Sequence, residues 1–447
     1  MKASLFLEYI DKYFRLVVGK ITEKFNDKSK EQTLLHKTML TEEYSADLSW
    51  GATEISNSVV AADVVSLDSS LPLKSRAKIS NATGKLPKLG LKMRKGEQHI
   101  TDINVMVARG AEESAVAAKI FDDTTKVIKS MDIRKEIMFL QALSTGACLV
   151  EDDDENNGTG IRVEFGYKDE NTVKCIGSEW GQAGETPQDD IQQMFDKAQE
   201  DSNSISHVYL SKKYFDRFRH SKQGKLLAAN FNNAVVTNVA LLPVPSRATF
   251  LEALADEYGA TFHVVNSVFK VEKSDGSKLN VKPWKEANVV GVPSDVVGRL
   301  VYGTLAEETN PVEGVKYQKS GSHILVSKYS KTDPLEEFTA AQALCLPVID
   351  GADSIYVLHA DEKWLTIDNS TLAFPKSASS REITVTADGN VTAKASESWL
   401  TLTVASSKVT AAATANTGAA RTATITISDE NGHTATVEVT QADGTTA

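Results

Sequence analysis

Few residues in this chain have the types and spacing for chemistry. In "DDENNGTGIRVE", Asp153, Glu155, Asn157, Gly158 and Glu164 fall on positions one, three, five, six and twelve of a calcium-binding loop. Such a loop would wrap a hard cation in side-chain and backbone oxygens. A glutamate at position three is off that pattern, and both flanks read as strands where a calcium-binding helix pair needs helices. The expectation is a solvated hairpin turn without metal. A second cluster is cationic: in "LPLKSRAKISNATGKLPKLGLKMRKG", Lys74, Arg76, Lys78, Lys85, Lys88, Lys92, Arg94 and Lys95 occur with no acidic residue among them. A nucleic-acid reader would interleave aromatics as stacking platforms, and the block has none. Asn81-Ala82-Thr83-Gly84 reads as a turn between two extended arms, which predicts a long basic hairpin projecting from the core. A plain solvated loop is one reading. The other, favoured by the acidic balance elsewhere, is an arm that docks on another copy of the chain.

Other chemistry is missing. Neither Gly84-Lys85 nor Gly224-Lys225 has the glycine that a phosphate loop needs five residues before its own, and there is no HExxH and no GxSxG. Cys148, Cys175 and Cys345 give neither an even disulfide framework nor a CxxC spacing, and read as buried thiols. No catalytic residue, cofactor or metal is expected. The net charge of -11 argues against a general nucleic-acid binder.

From Gly110 to Gly146 the chain reads as one helix, with apolar Val116, Ile120, Val127, Met131, Ile137, Leu140 and Leu143 on a single face. Glu112 and Glu113 suit its first turn and Gly146 its left-handed cap. At about 1.5 Å per residue it makes a strut on the order of 50 Å, too irregular for a coiled coil and too charged for a membrane span. The first twenty residues suggest an amphipathic helical arm rather than a signal peptide, because Glu8, Asp11, Lys12 and Arg15 interrupt any apolar run. "TPQDDIQQMFDKAQED" predicts a helix with Thr186 as cap and Pro187 in its first turn. A strand "SHVYL", a helix through "KKYFDRFRH" and a hairpin of "FHVVNSVFKVE" with "KLNV" around Asp275-Gly276 follow, and "DSIYVLHA" reads as a closing strand. This is an α+β core. After about Asp361, Thr, Ala, Ser and Val dominate in short period-two strands. Asp388-Gly389 and Asn431-Gly432 carry hairpin signals, and about seven strands with Trp399 as core bulk predict a small β-sandwich.

The order of these elements resembles a tailed-phage major capsid protein of the lambda-type capsid protein E family. The residues that carry the likeness are "LPLKSRAKIS", "FDDTTKVIKSMDIRKEIMFLQALSTG", "IRVEFGYKD", "WGQAGETPQDDIQQMFDKA", "HVYLSKKYFDRF", "VVGRLVYGT" and "ALCLPVIDGADSIYVLHAD". The resemblance implies the Hong Kong 97 capsid fold: a helical arm over 1–55 and a capsid domain over 56–361. Within that domain it places an extended loop at about 71–105, a spine helix at about 112–145 in a peripheral domain, and an axial domain at about 186–304. The tail, 362–447, resembles a BACON domain, an immunoglobulin-like module named for a carbohydrate-binding role, through "SESWLTLT", "ATANTGAARTATITIS" and "ATVEVTQ".

Together these imply a structural protein of the virion, made in the bacterial host cytoplasm. Its expected partners are itself in pentamers and hexamers, scaffold, portal or decoration proteins, packaged DNA by non-specific proximity, and host or mucus glycans through the tail; no membrane contact is expected. The rival readings are a secreted or surface carbohydrate-binding adhesin, which would require a signal peptide, and a hydrolase with an appended module, which would require a nucleophile and base.

Overall fold

A computed structural model describes residues 2–26, 34–53, 81–150, 161–234, 238–273, 275–387, 390–405, 407–430 and 432–444. The chain divides into two compact units. The first comprises Met1–Thr172, Met194–Phe215 and Leu254–Val357, and the second Val173–Gln193, Asp216–Ala253 and Leu358–Ala447. Among the described residues no helix is long and apolar enough to cross a membrane.

The first unit begins with helices α1 (Leu7–Asn26), α2 (His36–Met39), α3 (Glu97–Ala108) and α4 (Glu113–Thr145). The long helix is present as expected and ends at Gly146, whose φ of 71° supplies the left-handed cap and whose N–H donates to the Ala142 carbonyl at 2.8 Å. Helix α4 packs on a mixed sheet whose strand order is β1 (Leu40–Tyr44), Gly298–Gly303, Leu335–Ile349, Ile324–Thr332 and Lys316–Ser320. The fifteen-residue strand Leu335–Ile349 is long enough to pair with Gly298–Gly303 over its second half and with another strand over its first. Val116, Ile120, Val127, Met131, Phe139 and Leu143 of the helix belong to one buried cluster with Ala341, Ala343, Leu346 and Val348 of that strand. Helix α1 adds Ile10, Phe14 and Val18, spaced by four, with Phe14 stacked on Phe121 at 6.1 Å between ring centres.

The part of the chain before α4 differs from what its sequence predicts. Of the helical arm expected over 1–55, α1 and the single turn of α2 are the helical parts among the described residues. Residues 40–44 are β1, laid parallel to Gly298–Gly303, and β2 (Ser49–Thr53) follows. The expected turn at Asn81–Gly84 is instead part of β3 (Asn81–Lys85), antiparallel to β2. Gly84 faces Trp50 across this ribbon, and a Cβ there would lie 2.8 Å from the indole nitrogen, so this glycine serves close approach rather than a turn. Nor do the basic residues from 88 to 95 project in a loop. They form β4 (Lys88–Lys95), antiparallel to the first half of Leu335–Ile349, and α3 follows where the loop was expected to continue to about 105. The alternation Leu89, Leu91, Met93 in "KLGLKMRK" is the period-two signal that the charge pattern obscured.

After α4, β5 (Ala147–Val150) and β6 (Ile161–Glu164) form an antiparallel hairpin, so strands flank the acidic segment as expected. Farther on, His207–Ser211 pairs with Asn288–Val292 and, in parallel, with Thr261–Val265. The hairpin around Gly276 therefore contains only Phe269–Glu272 and Lys278–Val281, and "FHVV" leaves it for the other sheet.

In the second unit Trp180, fully buried, packs on Phe218 at 5.4 Å, and Phe218 meets Phe250 edge-on at 5.1 Å. The tail is a sandwich, with eight strands among the described residues. One sheet runs Leu365–Ile367, Ser379–Ala387, Lys408–Ala413, Leu400–Ala405, and the other Thr371–Phe374, Thr434–Gln441, Arg421–Asp429, Val391–Ala395. Alternate side chains from both, including Ile383, Val385, Val409, Ile425, Ile427, Val437 and Val439, fill the space between them. The hairpin across Gly432 is present. The one expected at Asp388-Gly389 is not, because the flanking strands belong to opposite sheets. Trp399 is half-buried at the margin of this core, with the Arg421 guanidinium 4.3 Å from its ring centre.

Candidate assembly surfaces and buried polar seam

Of the eight basic residues, the five that the structure describes do not form one patch. Lys74, Arg76 and Lys78 lie outside the described residues, as do Asp153, Glu155 and Asn157 of the calcium-loop candidate. Glu164 lies on β6, exposed, with Arg162 at 2.7 Å. Lys85 ends β3. Strand alternation places Lys88, Lys92 and Arg94 on the exposed face of β4, where Arg94 pairs with Glu336 at 2.7 Å and the Lys92 ammonium sits 5.6 Å from the Phe338 ring centre. Lys95 falls on the inner face, buried, and donates to Asp123 of α4 at 2.7 Å. Among the described residues no group of three or more His, Cys, Asp or Glu is placed to hold a metal ion. Cys148, Cys175 and Cys345 are buried free thiols, and desolvation raises all three, Cys148 to about 12 and Cys345 to about 11.

A polar seam that the motif reading missed runs along the buried face of α4. Asp123, Asp132, Lys135 and Glu136 all sit within its apolar stripe. Asp132 holds Lys135 at 2.8 Å and Lys37 at 2.6 Å. Desolvation pushes its carboxyl up, but the two ammonium groups outweigh that and leave it at about 2. Lys135 donates in turn to Nε2 of His323 at 2.9 Å; desolvation and then that charge lower His323 to about 3, so its ring is neutral. Glu136 accepts the N–H groups of Leu35 and His36, both at 2.9 Å, and its Oε2 lies 2.7 Å from His36 Nδ1. Burial lowers the His36 pKa, which makes this last contact a hydrogen bond from a neutral imidazole rather than an ion pair.

At the other end of the N-terminal segment, Glu337 accepts from the Ser4 hydroxyl and, at 3.1 Å, from the Leu5 N–H. Two buried glutamates thus fix the arm before and after α1. Lys328, fully buried, donates to Thr339 at 2.7 Å and to the Ile120 carbonyl at 3.3 Å, and desolvation lowers it to about 8. Every one of these charges has a partner, as burial demands. The signal available in the sequence was charge at helical positions that must face inward, such as Asp123 four residues before Val127.

The second unit has one similar lock. Asp190 accepts from the Ile176 N–H at 2.7 Å and from Trp180 Nε1 at 2.8 Å, and desolvation raises its carboxyl to about 6. Where the tail meets the rest of this unit, Trp364 stacks on His433 at 5.4 Å and donates to Gln193 at 3.3 Å, while Lys174 Nζ lies 5.7 Å from its ring centre. No nucleophile and base face each other across an open cleft in any of these clusters. They are locks, and they hold shape.

Comparison with known proteins gives this architecture a context. The model of a family described as phage major capsid protein E matches residues 18–358, and that of BACON, a proposed binding domain, matches residues 390–442. No curated protein matches the sequence. Among solved structures, a proposed prophage capsid protein of E. coli CFT073 is 13% identical with a TM-score of 0.47, covering 76% of this chain and 97% of its own. The bacteriophage PhiM1 mature capsid is 10% identical with a TM-score of 0.38, covering 74% of this chain and 89% of its own. A Bacteroides ovatus GH5 xyloglucanase is 27% identical with a TM-score of 0.17, over 17% of this chain and 18% of its own.

Proposed function

Since the chain belongs to the phage major capsid protein E family and carries a BACON domain at its C-terminus, we propose that many copies assemble, as pentamers and hexamers, into the icosahedral head of a tailed phage that encloses double-stranded DNA. The family match over residues 18–358 carries this reading. Helix α4 backed by the long strand Leu335–Ile349 supports it physically, because a shell tile must be stiff while staying thin. Residues 186–304 would surround the capsomer axes. Scaffold, portal and decoration proteins of the same phage would be its further partners, DNA would be met without sequence recognition, and synthesis would take place in the host cytoplasm. Its role in the virion is structural, and none of the side-chain clusters supplies a catalytic step.

The sandwich would face outward. Residues 362–447 hold six basic and nine acidic side chains, a net charge of -3, which packaged phosphate would repel. Presented in hundreds of copies, a module with weak glycan contacts would gain avidity. Negative-stain microscopy of the expressed protein tests the main reading: shells or capsomer rings are expected, and a soluble, folded chain that forms neither under any assembly condition would refute it. Antibodies against the sandwich should label intact heads, and particles lacking 362–447 should lose retention on immobilised mucin-type glycans. Unlabelled heads would overturn the outward placement, and equal retention would overturn the adhesive role.

A further inference from the structure

Histidine is scarce in this chain, eight in 447 residues, and two of the eight face each other. His207 opens the strand His207–Ser211, and His263 lies in Thr261–Val265, the strand beside it and the last in the order of its sheet among the described residues. The parallel register sets Tyr209 opposite His263, so His207 is two residues away on the same face. Nδ1 of His207 and Nε2 of His263 are 3.2 Å apart.

Both rings are held from outside the pair. Asp295 follows the strand Asn288–Val292, on the other side of His207–Ser211, and places Oδ1 3.0 Å from Nε2 of His207. That carboxylate accepts the Nε2–H, which leaves the lone pair of the neutral ring on Nδ1, toward His263. The His263 ring stacks on buried Tyr209, 4.6 Å between centres and 14° between planes. Two imidazole nitrogens bound to one tetrahedral zinc ion at about 2.1 Å lie about 3.4 Å apart, close to the separation found here. A carboxylate on the far nitrogen is the usual outer partner of a metal-bound imidazole, because it fixes the ring and raises its basicity. The His207 side chain is 17% exposed and that of Asp295 83%, so solvent reaches the pair.

We propose that Nδ1 of His207 and Nε2 of His263 bind a divalent transition ion of the zinc class, with Asp295 and Tyr209 as positioning residues and water completing the coordination. Imidazole selects that class over magnesium and calcium, which prefer oxygen ligands. Without the ion, one proton lies between the two nitrogens. The ion takes its place, each nitrogen gives its lone pair to the metal, and the proton leaves to solvent. Two protein ligands are fewer than a closed structural site has, so the ion exchanges with solution. It ties the strand Thr261–Val265 to its neighbour and is independent of the capsid reading.

Two measurements on the full chain test it. In equilibrium dialysis against zinc chloride, the wild type should bind one ion more than His263→Phe, which keeps a ring on Tyr209 and removes the nitrogen. Asp295→Ala should weaken that ion about tenfold or more. Equal zinc binding by the wild type and His263→Phe would overturn the proposal, and so would displacement of the zinc by an equal concentration of calcium chloride. Imidazole nitrogen NMR of the wild type needs no variant. Zinc should shift the Nδ1 signal of His207 and the Nε2 signal of His263 together, along one saturating curve; a titration that leaves either signal in place would overturn the site.

Discussion

Replacing Lys95 by Met separates the buried role of this residue from the surface role that its basic neighbours suggest. Both side chains of the Lys95–Asp123 pair are less than a tenth exposed. Without the ammonium, Asp123 keeps only Lys126, 3.3 Å away and half exposed. Removing one partner of a buried pair costs about 3–5 kcal/mol, and the remaining Lys126 contact with partial solvent access reduces this to about 2–3 kcal/mol at pH 7. The pH dependence is specific. Desolvation pushes the Asp123 carboxyl up, and Lys95 with Lys126 outweighs it, so in the native protein it lies below its ordinary value. A depressed carboxyl contributes stability above the unfolded pKa of about 4, and this is lost as pH falls through the folded value. In Lys95→Met the desolvation is less opposed, Asp123 takes up a proton more readily, and the deficit shrinks toward pH 4. Calorimetry of the full chain at pH 7 and pH 4.5 should show the first unit's transition lowered by roughly 4–8 °C at the higher pH and by less at the lower. Lys95→Met with Asp123→Leu should recover most of the loss, because an apolar pair can replace a buried ionic one. A deficit below about 1 kcal/mol at pH 7, or one equal at both pH values, would refute the reasoning.

Gly224→Ala should destabilise the second unit by about 1–3 kcal/mol, since a Cβ there would sit 2.1 Å from the Phe218 carbonyl oxygen; an unchanged melting temperature contradicts that geometry. The Asp190 carboxyl should titrate at about 6 rather than about 4, so the folded form holds a proton that the unfolded chain has released, and stability should rise as pH falls through that window. Carbon-detected NMR that finds an ordinary carboxyl at this position removes the basis for it. Cys148, Cys175 and Cys345 should resist a thiol reagent at pH 8 and react together on unfolding, because all three are buried with raised pKa values; a fast-reacting thiol in the native protein counts against the packing around α4 and Trp180.

Local rules carried much of the architecture. The 3.6-residue apolar period and a glycine in the right place defined α4 to within a few residues, because a helix satisfies its own backbone and its pattern is written in adjacent turns. Period-two alternation with Asn431-Gly432 likewise defined the hairpin of Arg421–Asp429 and Thr434–Gln441. The net charge, the lack of catalytic motifs and the change of composition near Asp361 were likewise readable without coordinates. The pairing of β4 was not, because its partner lies some 240 residues away and a strand finds its hydrogen bonds in another segment. For the same reason "NATG" looked like a turn when it is a strand against Trp50, and Asp388-Gly389 looked like a hairpin when its flanking strands lie in different sheets. Lys95 shows the limit most plainly. Its charge was evident in the sequence, but whether that charge meets solvent, a second copy or Asp123 depends on which face of β4 lies against α4, and only the packed sheet and helix decide that.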